Sequence, residues 1–123
     1  MQILVVDDSK FTRDLLIAGL KRLGHDVASA SGGKMALRMI SSNHYRLVIS
    51  DWEMPDMDGL ALCRAVRNEV QNHVYFALMS AHDNLHRAEG LAAGADAFLS
   101  KPCSLGELGQ VLAAAQKTIE SAI

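Results

Sequence analysis

Five short apolar runs, each separated from the next by a segment with helical spacing, constrain the fold of this chain more than any other feature. The runs are Ile3–Val6, His25–Ala30, Leu47–Ser50, Val74–Met79 and Ala97–Leu99. The second run is weak, whereas the others are apolar at nearly consecutive positions, as in strands buried on both faces of a parallel sheet. Parallel neighbours need crossover connections, and these are right-handed.

The segments between the runs carry signals for the start and the end of helices. Ser9 is a natural N-cap for the first helix, and Gly24 stands just past its end. Gly94 ends the fourth helix, and Ser104 caps a last helix whose apolar set runs on towards Ile119. We therefore predict an α/β fold: a flavodoxin-like, doubly wound, five-stranded parallel sheet of strand order 2-1-3-4-5 with five helices.

Length, charge and cysteine content limit the classes of protein that fit. The 123 residues suit a single domain, 1–123, in which residues 117–123 are a candidate start of a connecting helix. A net charge of −2 gives no field to hold nucleic acid, so we expect no direct nucleic-acid binding. No apolar run reaches the roughly 18–20 residues of a membrane span, and the start does not resemble a signal peptide. Cys63 and Cys103 suit two reduced thiols, and we expect a cytoplasmic protein without a membrane partner.

Polar residues follow four of the predicted strands at one edge of the sheet. Asp7 and Asp8 follow the first strand, Asp51 the third, Ser80 the fourth and Lys101 the fifth. Three neighbouring carboxylates repel one another unless a cation shares their site, and a small all-oxygen site suits Mg²⁺. With a lysine and a hydroxyl added, the set describes a cradle for a phosphoryl group carried on a carboxylate oxygen.

These residues and their neighbours resemble a known family. The motifs are Ile-Leu-Val-Val-Asp-Asp-Ser at 3–9, Asp51, Met-Pro-Asp-Met-Asp-Gly at 54–59, Gly-Ala-Asp-Ala-Phe at 94–98 and Lys-Pro at 101–102. In this order and spacing, the chain resembles a response regulator receiver domain of two-component signalling, of the chemotaxis-regulator type. The resemblance covers essentially the whole length.

The resemblance implies a role for the acidic residues. Asp51 would accept a phosphoryl group from a phosphohistidine of a sensor histidine kinase or histidine phosphotransfer protein. Asp7 and Asp8 would hold Mg²⁺ together with Asp51 and the main-chain carbonyl of Glu53. The Lys101-Pro102 pair resembles the cis-proline turn of the family. The domain would not be an enzyme, apart from catalysing its own aspartate phosphorylation and dephosphorylation.

The resemblance also implies a switch. Ser80 would bind the phosphoryl oxygens after transfer, and Lys101 would pair with them. Phe98 resembles the aromatic residue that moves inward as Ser80 is drawn towards the phosphoryl group. Glu53 and His82 occupy positions that tune the lifetime of the phosphoryl group in the family.

Simpler explanations exist for several of these residues. Asp7-Asp8 suits the positive end of a helix dipole, and Phe98 suits an ordinary core aromatic. Trp52 is expected near the surface, either as a contact for a kinase or as a half-exposed aromatic. His82 and His86 have the i, i+4 spacing of a metal-binding pair, although no third ligand is evident nearby.

Three other functions compete with the phosphorylated switch. A flavodoxin would need phosphate-binding donors where this chain has two aspartates, and an aspartyl phosphatase would need a cap that the chain lacks. A pseudo-receiver that binds partners without phosphorylation is the main alternative. For the switch, we expect a downstream effector domain or target protein as partner, and homodimerisation on phosphorylation as a further expectation.

Overall fold

Five strands and five helices alternate along the chain. The computed structural model describes residues 1–70, 73–81 and 83–121, and the side chains of 83–85 lie outside this description. The elements are β1 (Gln2–Val6), α1 (Lys10–Arg22), β2 (Asp26–Ala30), α2 (Gly33–Ser42), β3 (Leu47–Asp51), α3 (Gly59–Glu69), β4 (Tyr75–Ser80), α4 (Asp83–Ala92), β5 (Ala97–Ser100) and α5 (Leu105–Ser121). The alternation of strand and helix predicted from the sequence is confirmed.

The five strands form one parallel sheet in the order β2-β1-β3-β4-β5. This is the predicted order, and it places the apolar β1 and β3 in the middle of the sheet. The sequence pattern predicts the fourth helix from Leu85 to Ala93, and α4 begins two residues earlier, at Asp83; residues 117–121 belong to α5. The connecting helix itself stays a prediction.

Two apolar layers enclose the sheet. Alternate residues of the central strands, such as Leu4, Val48 and Phe76, pack with α2 and α3 on one face. Their neighbours in sequence, such as Val5 and Ile49, pack with α1 and α5 on the other face. Successive side chains of a strand point to opposite faces, so a strand covered on both sides must be apolar throughout.

Local signals fix the ends of several helices. The Ser9 side chain accepts a hydrogen bond from the Thr12 amide at 3.4 Å, and Gly24 follows α1 with φ +90°. The Asp58 carboxylate caps α3 through the amide of Ala61 at 2.8 Å. These caps place the helix N-termini at the edge where β1 and β3 end. Among the residues that the structure describes, no helix has the length and apolar character needed to cross a membrane.

Candidate phosphoacceptor site

The first acidic residue after β1 is completely buried, and the second is exposed. Asp7 has 0% exposed surface, and its amide donates to the carbonyl of Ala30 at 3.2 Å. Its Oδ1 accepts the Ser9 amide at 2.9 Å, and the Arg13 guanidinium donates to its main-chain carbonyl at 2.8 Å. These bonds fix the Asp7 carboxylate at the carboxyl edge of the sheet, while Asp8 faces solvent beside it.

Asp51 ends β3 next to this pair and is only 4% exposed. Its Oδ1 accepts a long hydrogen bond, 3.4 Å, from the Glu53 amide. The chain leaves β3 tightly, because the Trp52 amide donates to Met79 and the Gly59 amide donates to Trp52, both at 2.8 Å. A Cβ on Gly59 would lie 2.3 Å from the Asp51 carbonyl oxygen, so the turn requires glycine there.

Lys101 brings a positive charge to both buried carboxylates. Its Nζ lies 3.1 Å from Asp7 Oδ2 and 3.1 Å from Asp51 Oδ2. The loop that carries it is held by a hydrogen bond from the Lys101 amide to the Ser80 carbonyl at 3.0 Å. The Lys101–Pro102 peptide bond is cis, as the resemblance described above implies.

Burial and the two neighbouring charged groups act on the pKa of Asp51 in different directions. Burial raises the pKa of Asp51, the charge of Asp7 raises it further, and the hydrogen bond and charge of Lys101 offset only part of this. Burial alone would lower the pKa of Lys101, but its hydrogen bonds to Asp7 and Asp51 and their charges raise it overall. One ammonium therefore compensates two buried carboxylates incompletely.

A divalent cation fits this imbalance. One carboxylate oxygen each from Asp7, Asp8 and Asp51 lie within 4.8 Å of one another. Three hard oxygen ligands with one exposed member suit Mg²⁺, which keeps several of its waters. The predicted ligand atom of Glu53 is its carbonyl, and the contact described for that residue is through its amide instead, so this ligand stays a prediction.

Ser80, a candidate switch residue, lies beside the acidic site. It contacts His86, and the sequence did not predict this contact. Ser80 is buried, and its Oγ lies 2.8 Å from Nδ1 of His86. The His86 ring stacks on Trp52, with centroids 4.1 Å apart and planes 10° apart. Phe98 meets the Trp52 ring edge-on at 6.2 Å, and the Arg87 guanidinium lies over Phe98 at 5.4 Å from its centroid.

The structure bears on the predictions for Trp52 and for the pair of His82 and His86. Trp52 was expected near the surface, but it is 6% exposed, because α4 covers it with His86. Among the described residues, the three-residue metal-ligand cluster is the acidic one, and His86 bonds Ser80 instead. His82 lies outside the described residues, so its tuning role and its pairing with His86 stay untested. The five main site residues, by contrast, meet at one edge as predicted: Asp7, Asp8, Asp51, Ser80 and Lys101.

Comparison with known proteins agrees with this geometry. A family model described as the response regulator receiver domain matches residues 3–113. The response regulator MprA of Mycolicibacterium vanbaalenii is 38% identical over 108 residues, which are 88% of this chain and 47% of MprA. The chain thus spans about half the length of this curated relative.

Solved structures give the same result. The receiver domain of the Francisella response regulator 1452 superposes with a TM-score of 0.88 at 34% identity, covering 95% of this chain and 98% of that one. The response regulator TrrA of Thermotoga maritima, in complex with Mg²⁺ and beryllofluoride, superposes with a TM-score of 0.84 at 31% identity, covering 93% and 97%.

Proposed function

The chain belongs to the family of response regulator receiver domains of two-component systems, and on this basis we propose that it is a switch driven by phosphorylation of Asp51. The phosphoryl donor is a phosphohistidine of a sensor histidine kinase or histidine phosphotransfer protein. The readout is a changed surface that binds an effector domain or target protein. Receiver domains are signalling domains rather than enzymes, and the chemistry proposed here is limited to the domain's own aspartate.

The observation that carries the proposal is that the Lys101 ammonium contacts the buried carboxylates of both Asp51 and Asp7, each at 3.1 Å. An Asp51 oxygen attacks phosphorus, the P–N bond to the donor imidazole breaks, and its electron pair returns to the ring nitrogen. The product is an acyl phosphate. Lys101, already 3.1 Å from Asp51 Oδ2, is placed to pair with the phosphoryl oxygens.

Asp7, Asp8 and Asp51 are the residues that would hold Mg²⁺, with the Glu53 carbonyl as a further ligand. A bound cation would supply positive charge to the phosphoryl oxygens during transfer. Asp7 and Asp8 would position that charge, because the Asp7 amide and carboxylate are fixed by hydrogen bonds to the main chain. Glu53 and His82 are proposed to tune the lifetime of the acyl phosphate, and Ser80 with Phe98 to report it.

An exposed apolar surface beside the site suits the docking of the phosphohistidine donor. Phe11 and Leu15 on α1 are 75% and 59% exposed, and Leu105 at the start of α5 is 54% exposed. The surface is continuous with the site, because α1 begins just after the acidic pair and Leu105 follows Lys101 closely in sequence. We assign it to the helical surface of a donor that carries the phosphohistidine.

Intact mass after incubation with a small acyl-phosphate donor tests the acceptor. We expect one added phosphoryl group that requires both Mg²⁺ and Asp51, and therefore none in Asp51→Asn. The matched control is Asp56→Asn, an exposed acid in the next loop whose φ of +69° asparagine tolerates. Labelling of Asp51→Asn at the wild-type rate would overturn the proposal because the acceptor would then be another residue, and no labelling of a folded wild type would overturn it in favour of a pseudo-receiver.

The docking surface has a separate test. With a phosphorylated histidine phosphotransfer protein as donor, Leu15→Ala should slow transfer at least threefold and leave labelling by the small donor unchanged. Leu91→Ala makes the same change at an exposed leucine of α4 and should leave both rates unchanged. Equal loss of transfer in the two variants would refute the assignment of the surface.

A further inference from the structure

The ring of His86 occupies a position that the proposed phosphoryl chemistry does not use. It lies flat on Trp52, at 4.1 Å between centroids, and its Nδ1 is 2.8 Å from the hydroxyl of Ser80. Ser80 is the residue proposed to bind the phosphoryl group after transfer. One side chain of α4 is therefore hydrogen-bonded to the hydroxyl on which the switch depends.

The packing around this ring fixes its position. Trp52 is buried, and its amide is bound to β4 through the Met79 carbonyl at 2.8 Å. One helical turn beyond His86, Gly90 allows α4 to approach closely, because a Cβ there would lie 3.3 Å from the indole and 3.4 Å from the Phe98 ring. The stack thus depends on the position of α4, and the hydrogen bond to Ser80 depends on the stack.

The hydroxyl of a serine has a single proton to donate. If the Ser80 proton is donated to Nδ1 of His86, it is not available to a phosphoryl oxygen. Binding of Ser80 to the phosphoryl group then requires that the bond to His86 break. The ring would compete with the phosphoryl group for one hydroxyl.

We propose that His86 is a positioning residue that holds the Ser80 hydroxyl in the unphosphorylated state by accepting its hydrogen bond. The inference rests on the proposed function and adds a regulatory element to it. The switch then exchanges one hydrogen bond for another, and the strength of the first sets how readily phosphorylation moves Ser80. Trp52 serves as the platform that aims the ring.

Two substitutions separate the hydrogen bond from the stack. His86→Phe keeps a flat ring over Trp52 but has no acceptor. His86→Asn loses the ring but keeps an acceptor, because Oδ1 of asparagine is bonded to Cγ as Nδ1 of histidine is. If His86 acted only by packing on Trp52, His86→Asn would have a larger effect than His86→Phe.

The first measurement is the concentration of beryllofluoride, with Mg²⁺ in excess, that half-saturates the site, followed by ¹⁹F NMR. Loss of one neutral hydrogen bond changes an equilibrium constant about fivefold. His86→Phe should therefore be half-saturated at a beryllofluoride concentration about fivefold lower than the wild type. His86→Asn should stay close to the wild type. In a Ser80→Ala background, His86→Phe should have no effect, since no hydroxyl remains to be held.

The second measurement needs no phosphoryl mimic. Long-range ¹H–¹⁵N spectra of the metal-free protein identify the protonated ring nitrogen of His86, and the proposal requires the proton on Nε2. A proton on Nδ1, or the same shift of the midpoint with and without Ser80, would overturn the inference while leaving the acceptor role of Asp51 intact. A wild type that binds no beryllofluoride would instead overturn the proposed function.

Discussion

Replacing Asp51, the proposed phosphoryl acceptor, by asparagine should stabilise the metal-free protein, although it abolishes the proposed chemistry. Carboxylate oxygens of Asp7, Asp8 and Asp51 lie within 4.8 Å of one another. At that separation and an effective dielectric constant of about 20, two unit charges repel by about 3.5 kcal/mol. Asp51→Asn removes two such repulsions and loses one attraction to Lys101, which at 3.1 Å is about 5 kcal/mol on the same scale.

The net electrostatic stabilisation from Asp51→Asn is therefore about 2 kcal/mol before screening by solvent. Asp8 and part of Lys101 contact solvent, which reduces every one of these values, and we expect Asp51→Asn to be stabilised by about 1–2 kcal/mol. For a chain of this size, that corresponds to a rise in Tm of about 5 °C. The assay is thermal and urea unfolding in a chelator at pH 7, followed by circular dichroism.

The pH dependence gives a second test of the same reasoning. Burial first, and then the charge of Asp7, raise the pKa of Asp51 in the folded state. The folded state therefore holds a proton more readily than the unfolded chain, so the stability that this group contributes is present below its unfolded pKa of about 3.9 and is lost as the pH rises through its folded pKa. The stability advantage of Asp51→Asn should accordingly be largest above the folded-state pKa of Asp51 and shrink as the pH falls through it.

Mg²⁺ and a control variant complete the experiment. Mg²⁺ should raise the Tm of the wild type more than that of Asp51→Asn, since the variant has lost one charged ligand. Asp14→Asn removes the same charge from an exposed pair with Lys10 on α1 and should change stability by less than about 0.5 kcal/mol. A metal-free Asp51→Asn that is equal to or less stable than the wild type would refute the picture of an undercompensated acidic site.

Three further changes probe the site and its support. Lys101→Ala should destabilise the metal-free chain by about 1–3 kcal/mol and tighten Mg²⁺ binding, because the ammonium no longer competes for the carboxylates; weaker binding by calorimetry would contradict this. Gly59→Ala should lower the free energy of unfolding in urea by more than about 2 kcal/mol, since the new Cβ would lie 2.3 Å from a main-chain oxygen. Gly109→Ala, which adds a Cβ to open space in α5, should raise it by about 0.5–1 kcal/mol. Burial raises the pKa of both thiols, that of Cys63 to about 11, and Cys63 is fully buried, so alkylation at pH 8 read by peptide mass should modify the half-buried Cys103 first.

The fold and the acidic site could be predicted because their signals are local. Consecutive apolar residues such as Leu47, Val48 and Ile49 mark a strand covered on both faces, and all three are fully buried. A polar residue directly after such a run must lie at the carboxyl edge, whatever the details of packing. Asp51 and Lys101 therefore meet as predicted, at 3.1 Å, although 50 positions separate them in sequence.

The ring stack could not be predicted, because it depends on how closely one helix approaches the sheet. Trp52 directly precedes an acidic loop, Glu53 to Asp58, which is typical of an exposed segment, and its burial arises only when α4 lies across it. That approach depends on the absence of a side chain at Gly90, which in the sequence is an ordinary glycine in a helical pattern. His86 gave a signal only through its spacing from His82, and that spacing suggested a metal site rather than a contact with Ser80.

The contacts of α4 imply that partner binding at α4 and occupancy of the phosphoryl site affect each other's affinity. Phe98 contacts both Trp52 and the Arg87 guanidinium, so the exposed side of this cluster belongs to the face formed by α4 and β5. A partner that binds this face in its present arrangement also holds the ring of His86 on Ser80. Linkage then requires that beryllofluoride weaken the binding of such a partner by the same factor by which the partner weakens beryllofluoride. A partner selected for the phosphorylated state must show the opposite sign, so measuring both affinities in one titration pair distinguishes a target released by phosphorylation from one recruited by it.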